Sequence, residues 1–311
     1  MKKLIFALLM TIGSFAAANT ITFVVPYPAG GDTDVLARLF ATKYTELTGK
    51  TTVVENRVGA SGIIGFNHVK NSPNDGSVIA LVPSTFVTAP HFFPAATYDP
   101  LNDFTPIMQL GGHGFFVIVN SDTGIKNVKD LIAANKNGKV TAYGSPGVAT
   151  PQNILGELFN LHAKTDLTHI PFKGNAEIVT NMLNNSVSVT LNSVLAFRPH
   201  VESGKMTIIA SAGAERSPLY PAVPTLKEQG ISGVEFESWL GFIGPKGMSA
   251  STVNEFNRTF NQIIQQPDVQ ERLKKLAMIP AGSSPEMFRE KISTNQKKFS
   301  NISRTVNIKI Q

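Results

Sequence analysis

The chain has 311 residues, 42% of them hydrophobic, with a formal net charge of +6 and no cysteine. This length exceeds what one ordinary core organises, so we expect two domains of about 100 to 200 residues each. The lack of cysteine excludes disulfides, thiolate nucleophiles, cysteine-bound metals and a lipid anchor on an N-terminal cysteine. The positive residues are scattered without arginine-rich runs, which argues against nucleic-acid binding.

The first 18 residues have the pattern of a secretory leader. Lys2 and Lys3 supply positive charge, an apolar stretch runs to Phe15, and three alanines at 16–18 form a small-residue cleavage site. The apolar stretch is shorter than the roughly 20 residues that a membrane-spanning helix needs. We therefore expect export, cleavage after Ala18 and a soluble mature protein. The absence of cysteine suits a Gram-negative periplasm.

Apolar, β-branched runs alternate with amphipathic helical patterns along the rest of the chain. In chain order, the patterns predict strand 21–25, helix 33–47, strand 51–55, helix 63–70, strand 77–82, strand 115–120, helix 128–134, strand 140–143, helix 151–161, strand 167–170, helix 176–183, strand 187–191, strand 207–210, strand 240–243, and helices 251–266, 269–276 and 285–299. Alternation at this spacing is typical of an α/β fold with parallel sheets covered by helices.

Two turn-rich stretches divide this pattern, at residues 120–124 and 218–233. If the chain crosses between domains at both, the middle segment forms one lobe and the two ends together form the other. We expect lobe 1 to comprise residues 19–122 and 232–311, and lobe 2 to comprise residues 123–231. A small molecule would then bind in the cleft between the lobes, where strand ends and helix starts meet.

The first predicted strand runs into a loop of small residues, Pro28-Ala29-Gly30-Gly31, and a helix follows. The first backbone N–H groups of a helix have no partner within it, and the helix dipole favours negative charge there. Because the loop side chains are too small to block the approach, this junction is a candidate site for an oxyanion.

A second loop of the same kind joins the strand predicted at 140–143 to the helix predicted at 151–161. It runs over residues 144–149, with Thr150 as the expected N-cap and Pro151 at the first helical position. Taken alone, either loop is more often an ordinary tight turn. Together they give each predicted lobe one anion site facing the cleft, which suits a ligand with two acidic ends.

Short motifs follow one another in a specific order along the chain. They are Val24-Val25-Pro26-Tyr27-Pro28-Ala29-Gly30-Gly31 with Thr33-Asp34, Val54-Glu55-Asn56-Arg57 with Gly59-Ala60, Asp75-Gly76, Asp103-Phe104-Thr105-Pro106, Tyr143-Gly144-Ser145-Pro146-Gly147 with Thr150-Pro151-Gln152, Pro171-Phe172-Lys173-Gly174, and Pro221 with Val223-Pro224-Thr225. Each is weak alone, but their order and spacing resemble those of the periplasmic solute-binding proteins of tripartite tricarboxylate transporters, the Bug receptors.

This resemblance covers nearly the whole chain after the leader and implies a fold and a class of ligand. The implied fold is a two-lobed periplasmic binding protein, type II-like, in which each lobe is a mainly parallel sheet flanked by helices. The implied ligand is a small carboxylate in the cleft between the lobes. The implied contacts are backbone amides and ordered waters, without an arginine clamp.

The resemblance also implies which residues bind the ligand, carried over by position. In lobe 1 they are Tyr27, Ala29, Gly30, Gly31 and Asp32. In lobe 2 they are Ser145, Gly147, Val148 and Thr150. Further candidates that follow neighbouring strands are Ser84, Thr85, Phe172, Asn175, Asn192 and Ser193.

Asp32 departs from many relatives, which have a small or neutral residue at this position. A carboxylate beside the anion site would repel a purely acidic ligand. Asp32 therefore either favours a ligand that also carries an amine or a donating hydroxyl, or serves only as the N-cap of the helix. Asp34 and Arg38 are four residues apart, which predicts an ion pair rather than a ligand contact.

The function that follows is that of a receptor and not an enzyme. It would capture a small organic (di)carboxylate in the periplasm and deliver it to the membrane permease subunits of a tripartite tricarboxylate transporter, with lobe closure as the signal. The alternative is a secreted enzyme that acts on an acidic small molecule with Asp32 or Asp34 as general base. The sequence leaves open which carboxylate is bound, and whether the role is uptake or sensing.

The sequence predicts no cofactor, no metal and no catalytic residue. The six histidines never fall at metal-ligand spacing, and neither a nucleotide-binding loop nor a nucleophile elbow occurs. The partners expected are the small carboxylate and the permease subunits, and no nucleic acid. The sequence does not determine the oligomeric state, and we expect a monomer, the default state of such receptors.

Overall fold

The structure of the protein, a computed structural model, describes residues 20–306 and residue 308. The leader predicted for residues 1–18 lies outside the described residues. The strands are β1 (Ile21–Val25), β2 (Thr52–Asn56), β3 (Val78–Pro83), β4 (Phe104–Gly114), β5 (Phe116–Asn120), β6 (Ala142–Ser145), β7 (Thr168–Pro171), β8 (Val189–Asn192), β9 (Met206–Ser211), β10 (Glu237–Pro245) and β11 (Ile279–Pro280).

Ten α-helices lie in the described part of the chain. They are α1 (Asp32–Thr48), α2 (Ile63–Lys70), α3 (Thr85–Phe92), α4 (Val128–Lys136), α5 (Pro151–Ala163), α6 (Asn175–Leu183), α7 (Arg198–Glu202), α8 (Ala250–Ile264), α9 (Pro267–Lys275) and α10 (Pro285–Thr305). Over residues 20–306 and 308, none of the helices has the length and apolar character needed to cross a membrane.

The strands form two sheets, and both are mixed. Sheet 1 has the order β11-β4-β10-β3-β1-β2, and sheet 2 has the order β7-β6-β8-β5-β9. The pairs that β1 forms with β2 and β3, and β6 with β7 and β8, are parallel. The predicted α/β class, with two sheets flanked by helices, is confirmed, but the sheets are mixed rather than mainly parallel. The chain enters both β5 and β10 from the other sheet, and each of these strands is antiparallel to its neighbours.

The chain crosses between the sheets at Phe115 and again over residues 212–236. β4 ends at Gly114 in sheet 1, and β5 begins at Phe116 in sheet 2. The division into lobes at 122/123 and 231/232 stays a prediction, but the structure pairs β5 within sheet 2 although that division assigns it to lobe 1. The turn at residues 120–124 follows β5, so it lies one strand beyond the crossing.

The strand registers bring the ends of the central strands together. Gly114 pairs with Glu237, and Phe116 pairs with both Asn192 and Ser211. In sheet 1, β1 and β3 run in the same direction as β4. In sheet 2, β6 and β8 end beside the beginning of β5. The C-terminal ends of β1, β3, β6 and β8 therefore lie along two sheet edges that a single residue, Phe115, connects.

The two crossing segments are bonded to each other. Ala212 N–H donates to the Phe115 carbonyl at 2.8 Å, and Phe236 N–H donates to the Ala212 carbonyl at 2.7 Å. The rings of Phe115 and Phe236 pack edge to face at 5.5 Å and are both buried. A hydrophobic cluster thus continues from one sheet to the other through the connection, while α1 and α8 cover sheet 1 with the rings of Phe40 and Phe260, 5.8 Å apart.

Candidate functional site

The loop after β1 presents free backbone donors. The chain turns at Gly30, whose φ of +84° favours glycine, and Gly31 is the N-cap of α1 in an extended conformation. Within the described residues, the N–H groups of Gly31, Asp32 and Thr33 donate to no protein acceptor. The residues from Ala29 to Asp32 are all exposed. The first predicted junction therefore has open amides at a helix start.

The N–H of Gly30, by contrast, is already used. It donates to Asp34 Oδ2 at 2.9 Å, and the same oxygen accepts from Arg38 Nε at 3.0 Å. Asn56 Nδ2 donates to Asp34 Oδ1 at 2.9 Å. The predicted ion pair between Asp34 and Arg38 is confirmed. Asp34 thus holds the loop in place through Gly30. The amides that remain open are those of the residues after Gly30, and not that of Gly30 itself.

The Asp34 carboxylate is unsuited to act as a base. The hydrogen bond from Arg38 is the main reason that the pKa of Asp34 falls to about 2, and it outweighs the opposing effect of burial. The side chain of Asp34 is only 3% exposed, and both of its oxygens already accept hydrogen bonds, so a substrate has little access to it. This geometry counts against the alternative of an enzyme with Asp34 as general base.

Asp32 is not the N-cap, so the capping interpretation is wrong. Gly31 occupies that position, no side chain caps the helix, and Asp32 is its first helical residue. Partial desolvation raises the pKa of Asp32, and the charge of Arg272 acts in the opposite direction. The Asp32 carboxylate is exposed and accepts no hydrogen bond from the described residues. It is therefore free beside the open amides.

Tyr27, Ser84 and Thr85 come together at the ends of β1 and β3. The Tyr27 hydroxyl and Thr85 Oγ1 are 2.5 Å apart, and Tyr27 also donates to the Ser61 carbonyl at 3.3 Å. Burial raises the pKa of Tyr27 to about 12, so the phenol is neutral at pH 7. Ser84 is buried, with its hydroxyl 3.2 Å from that of Ser238 on β10. Tyr27 and Thr85 thus pair with each other and Ser84 pairs with Ser238, so all three hydroxyl groups have a partner.

The second loop is closed by the cap that the sequence predicts. Thr150 is the N-cap of α5, and its Oγ1 accepts from Asn153 N–H at 3.3 Å. Asn153 Oδ1 in turn accepts from Ala149 N–H at 2.9 Å. The N–H groups of Val148 and Thr150 donate to no acceptor in the described part of the chain, and Val148 is exposed. This loop also presents open amides, but the Thr150 hydroxyl is engaged.

Replacing the N-cap at the second loop should lower stability. We expect Thr150→Ala to reduce the free energy of unfolding by about 1 kcal/mol. Ser249→Ala is the matched control, since Ser249 caps α8 in the same way at 3.2 Å. Thr150→Ala should cost at least as much, because the further hydrogen bond from Thr150 Oγ1 to the Gly147 carbonyl, at 2.8 Å, is partly buried. The other contacts of the Ser249 hydroxyl, with Ser251 and Thr252, are exposed. Urea unfolding measures both, and an unchanged midpoint for Thr150→Ala would contradict the capping role.

Ser145 and Gly147 do not have free polar groups, contrary to expectation. Ser145 is fully buried, and its Oγ lies 2.6 Å from His169 Nε2. Gly147 N–H donates to Ser145 Oγ at 3.2 Å. Phe172 is half-buried, its ring packs over Gly144, and its N–H donates to the Ser145 carbonyl at 2.9 Å. These residues support the second loop from inside the lobe.

Three side-chain amides form a cluster beside this loop. Asn192 is fully buried at the end of β8, and its Oδ1 accepts from Gln152 Nε2 at 3.1 Å and from Ser193 N–H at 2.9 Å. Asn192 Nδ2 donates to Asn175 Oδ1 at 2.9 Å. The cluster joins the starts of α5 and α6. Because Asn175 accepts through its oxygen, its own NH₂ group remains as a donor.

The sequence prediction missed two residues that contact predicted site residues, namely His169, which contacts Ser145, and Gln152, which contacts Asn192. Gln152 stands within the quoted motif Thr150-Pro151-Gln152, one position into α5, so its place at the cleft edge was readable. His169 lies on β7, opposite Tyr143 of β6, and only the pairing of these strands reveals its contact with Ser145.

A cavity of about 470 Å³ lies elsewhere, between β4, β10, β11 and the segment after β9. Gly112, His113, Arg216, Glu237 and Ile279 are among its lining residues, and none of the predicted ligand-binding residues is. The predicted loops are exposed, so the geometry of the candidate site is that of an open edge.

Two mixed sheets joined by two crossings, with open helix starts along the line where they meet, define a two-lobed α/β binding protein. The chain belongs to the tripartite tricarboxylate transporter receptor family, whose model, TctC, matches residues 36–308.

Relatives of known sequence or structure agree with this membership. A UPF0065 protein from the tcbD-tcbE intergenic region of a Pseudomonas species is 32% identical over 91% of this chain and 87% of its own length. The BugT protein of Bordetella pertussis is 28% identical over 94% and 91%. Among solved structures, an R. palustris protein with adipate has 26% identity, a TM-score of 0.81 and coverage of 93% and 97%. The periplasmic binding protein BugD has 27%, 0.80, and coverage of 94% and 99%.

Proposed function

We propose that the protein is a periplasmic receptor that captures a small organic dicarboxylate between its lobes. The observation that carries this proposal is the set of open N–H groups at two helix starts, those of Gly31, Asp32 and Thr33 at α1, and those of Val148 and Thr150 at α5. A carboxylate accepts several hydrogen bonds, and a helix start favours its charge. The adipate bound to the R. palustris relative supports a dicarboxylate ligand.

A ligand screen tests the proposal. The purified protein is melted in the presence of adipate, succinate, L-aspartate, L-glutamate and citrate, and the ligand is then recovered for mass analysis. At a concentration of 100 times its dissociation constant, a true ligand should stabilise the folded state by about 2.7 kcal/mol. It should also be recovered unchanged. No shift with any acid would contradict the receptor, and conversion of an acid would point to an enzyme instead.

We further propose that residues 1–18 direct export and that the closed, liganded receptor, a monomer, is read by the membrane permease subunits of a tripartite tricarboxylate transporter. The family description supports the permease as partner. Sequencing of the exported protein from its N-terminus should begin at Asn19, and light scattering should give the mass of one chain. A retained leader or a stable dimer would contradict these two points.

Asp32 is proposed to select for a ligand that carries an amine or a donating hydroxyl as well as its carboxylates. Its free carboxylate next to the open amides of α1 would attract an ammonium group and repel a purely acidic end. In Asp32→Ala, the ratio of the affinity for L-aspartate to that for succinate should fall by about tenfold, the worth of one hydrogen bond between charged groups.

Calorimetric titration of both acids measures this ratio, with Asp122→Ala as the control because Asp122 is also an exposed carboxylate. An unchanged ratio in Asp32→Ala would remove the selective role and leave the rest of the proposed function intact.

A further inference from the structure

A buried contact between Ser145 and His169 lies beneath the second loop. Ser145 Oγ lies 2.6 Å from His169 Nε2, and Ser145 has no exposed surface. His169 pairs with Tyr143 across β6 and β7, and their rings lie 5.2 Å apart. Residues two apart on a strand share a face, so Ser145 lies on the same face as Tyr143. The Tyr143 hydroxyl accepts a hydrogen bond from Asn153 Nδ2 of α5 at 2.8 Å.

The ring and the loop are connected through the Ser145 hydroxyl. Burial lowers the pKa of His169, so the imidazole is neutral at pH 7. With the ring proton on Nδ1, Nε2 accepts from the Ser145 hydroxyl. Ser145 Oγ accepts from Gly147 N–H at 3.2 Å. With the proton on Nε2 instead, Ser145 would donate to the Gly147 carbonyl, 2.9 Å away. In both cases Ser145 ties His169 to the Gly147 backbone.

The backbone of this loop needs such support. Gly147 has φ +135° and Ala149 has φ +55°, and a residue with a side chain in the left-handed region costs about 1 kcal/mol or more. Such conformations persist where the surroundings hold them. The two open amides, on Val148 and Thr150, flank Ala149, so the direction of these donors depends on the strained segment.

We infer that His169 is a positioning residue for the second anion site, an inference that rests on the proposed function. Through Ser145 it fixes the backbone of Gly147, and it thereby fixes the direction of the Val148 and Thr150 N–H groups. Binding then requires no ordering of the loop, and affinity is not reduced by that cost.

Ser145 and His169 do not form a catalytic pair of a nucleophile and a general base. The Ser145 hydroxyl has no exposed surface, and it is shared between the imidazole and the Gly147 backbone. A substrate atom would have to displace the loop to reach it. Its place beneath the loop is that of a support.

The first test requires no ligand. In His169→Leu, hydrogen exchange at the Gly147 amide should accelerate by at least about tenfold, and Ser145→Ala should have the same effect. His169→Gln, whose side-chain amide reaches the position of Nε2, should restore slow exchange. His200→Leu is the control. His200 lies in α7, between β8 and β9 of sheet 2, and its side chain makes no hydrogen bond within the described residues. Unchanged exchange in His169→Leu would overturn the inference.

The second test measures affinity by calorimetry with adipate, succinate, L-aspartate and citrate. For an acid that the wild type binds, His169→Leu and Ser145→Ala should each weaken binding by about tenfold. The double variant should be no weaker than either single one, since both break one connection. Additive losses, or fast exchange with unchanged affinity, would overturn the inference. If the wild type binds none of the acids, the proposed function fails, while the exchange rates still decide whether His169 holds the loop.

Discussion

Gly31→Val should weaken dicarboxylate binding by at least about tenfold while leaving the unliganded fold nearly as stable as before. A side chain at this N-cap would stand in front of the open amides of α1, where the ligand is proposed to approach. The fold itself has room, because a Cβ at Gly31 would meet only the Pro28 carbonyl, at 3.6 Å, and the backbone is already extended. Titration calorimetry gives the affinity, and the melting temperature without ligand reports the fold.

Gly49→Ala is the control for this experiment. Gly49 ends the same helix, has φ +72° and has nothing within 4 Å of an added Cβ. The substitution strains the backbone far from the cleft, so it should lower stability by about 1 kcal/mol and leave affinity unchanged. Wild-type affinity in Gly31→Val would exclude the amides of α1 from the ligand site.

Asp34→Asn should lower the free energy of unfolding by about 2 kcal/mol at pH 7, because the ionised carboxylate accepts three hydrogen bonds in the folded protein. The pKa of Asp34 falls from 3.8 to about 2 on folding. A depressed carboxyl pKa stabilises the fold above its unfolded value, and this stabilisation is lost as the pH falls through the folded value. The difference between wild type and variant should therefore be full above pH 4 and shrink from there towards pH 2.

Urea unfolding of both proteins at pH 7 and at pH 2.5 measures the effect. Asp122→Asn serves as the control, since Asp122 is exposed and should give no difference at either pH. A difference for Asp34→Asn that is the same at both pH values would show that the ionised carboxylate is not the stabilising form. Because Asp34 also holds Gly30, the variant should lose some ligand affinity as well.

Strands and helices with a clean period were predictable from the sequence. Strand β1 lies at 21–25 as predicted, and α5 begins at Pro151 as its cap indicates. Strand β4 was missed, since Pro106 and three glycines lower its strand propensity, and it forms because β10 and β11 pair with it on either side. Helix α3 was missed for a similar reason, because Pro90 lies inside it.

The candidate site was predictable where local backbone geometry decides it. Small residues before a helix start indicate open amides, and the Thr150 cap follows from residue types at fixed spacing. The hydrogen-bond partners that occupy the other polar groups of the site are distant in sequence, so they were not predictable. Asn56 reaches Asp34 across 22 positions, and His169 reaches Ser145 across 24. Only the packing of the strands brings these partners together, and it places the Ser145 hydroxyl in a buried contact with His169.

If the lobes close on a ligand as proposed, the single-residue link at Phe115 would be the pivot of that motion. Neighbouring strands are about 4.8 Å apart, so β6, two strands from β5, lies roughly 10 Å from the pivot, and a turn of about 20° would carry its loop some 3 Å. The hydrogen bonds from Ala212 to Phe115 and from Phe236 to Ala212 would hold the two crossing segments together during that motion. Each lobe would then move as a rigid body, and the lobes would close on the ligand without a change in their internal structure.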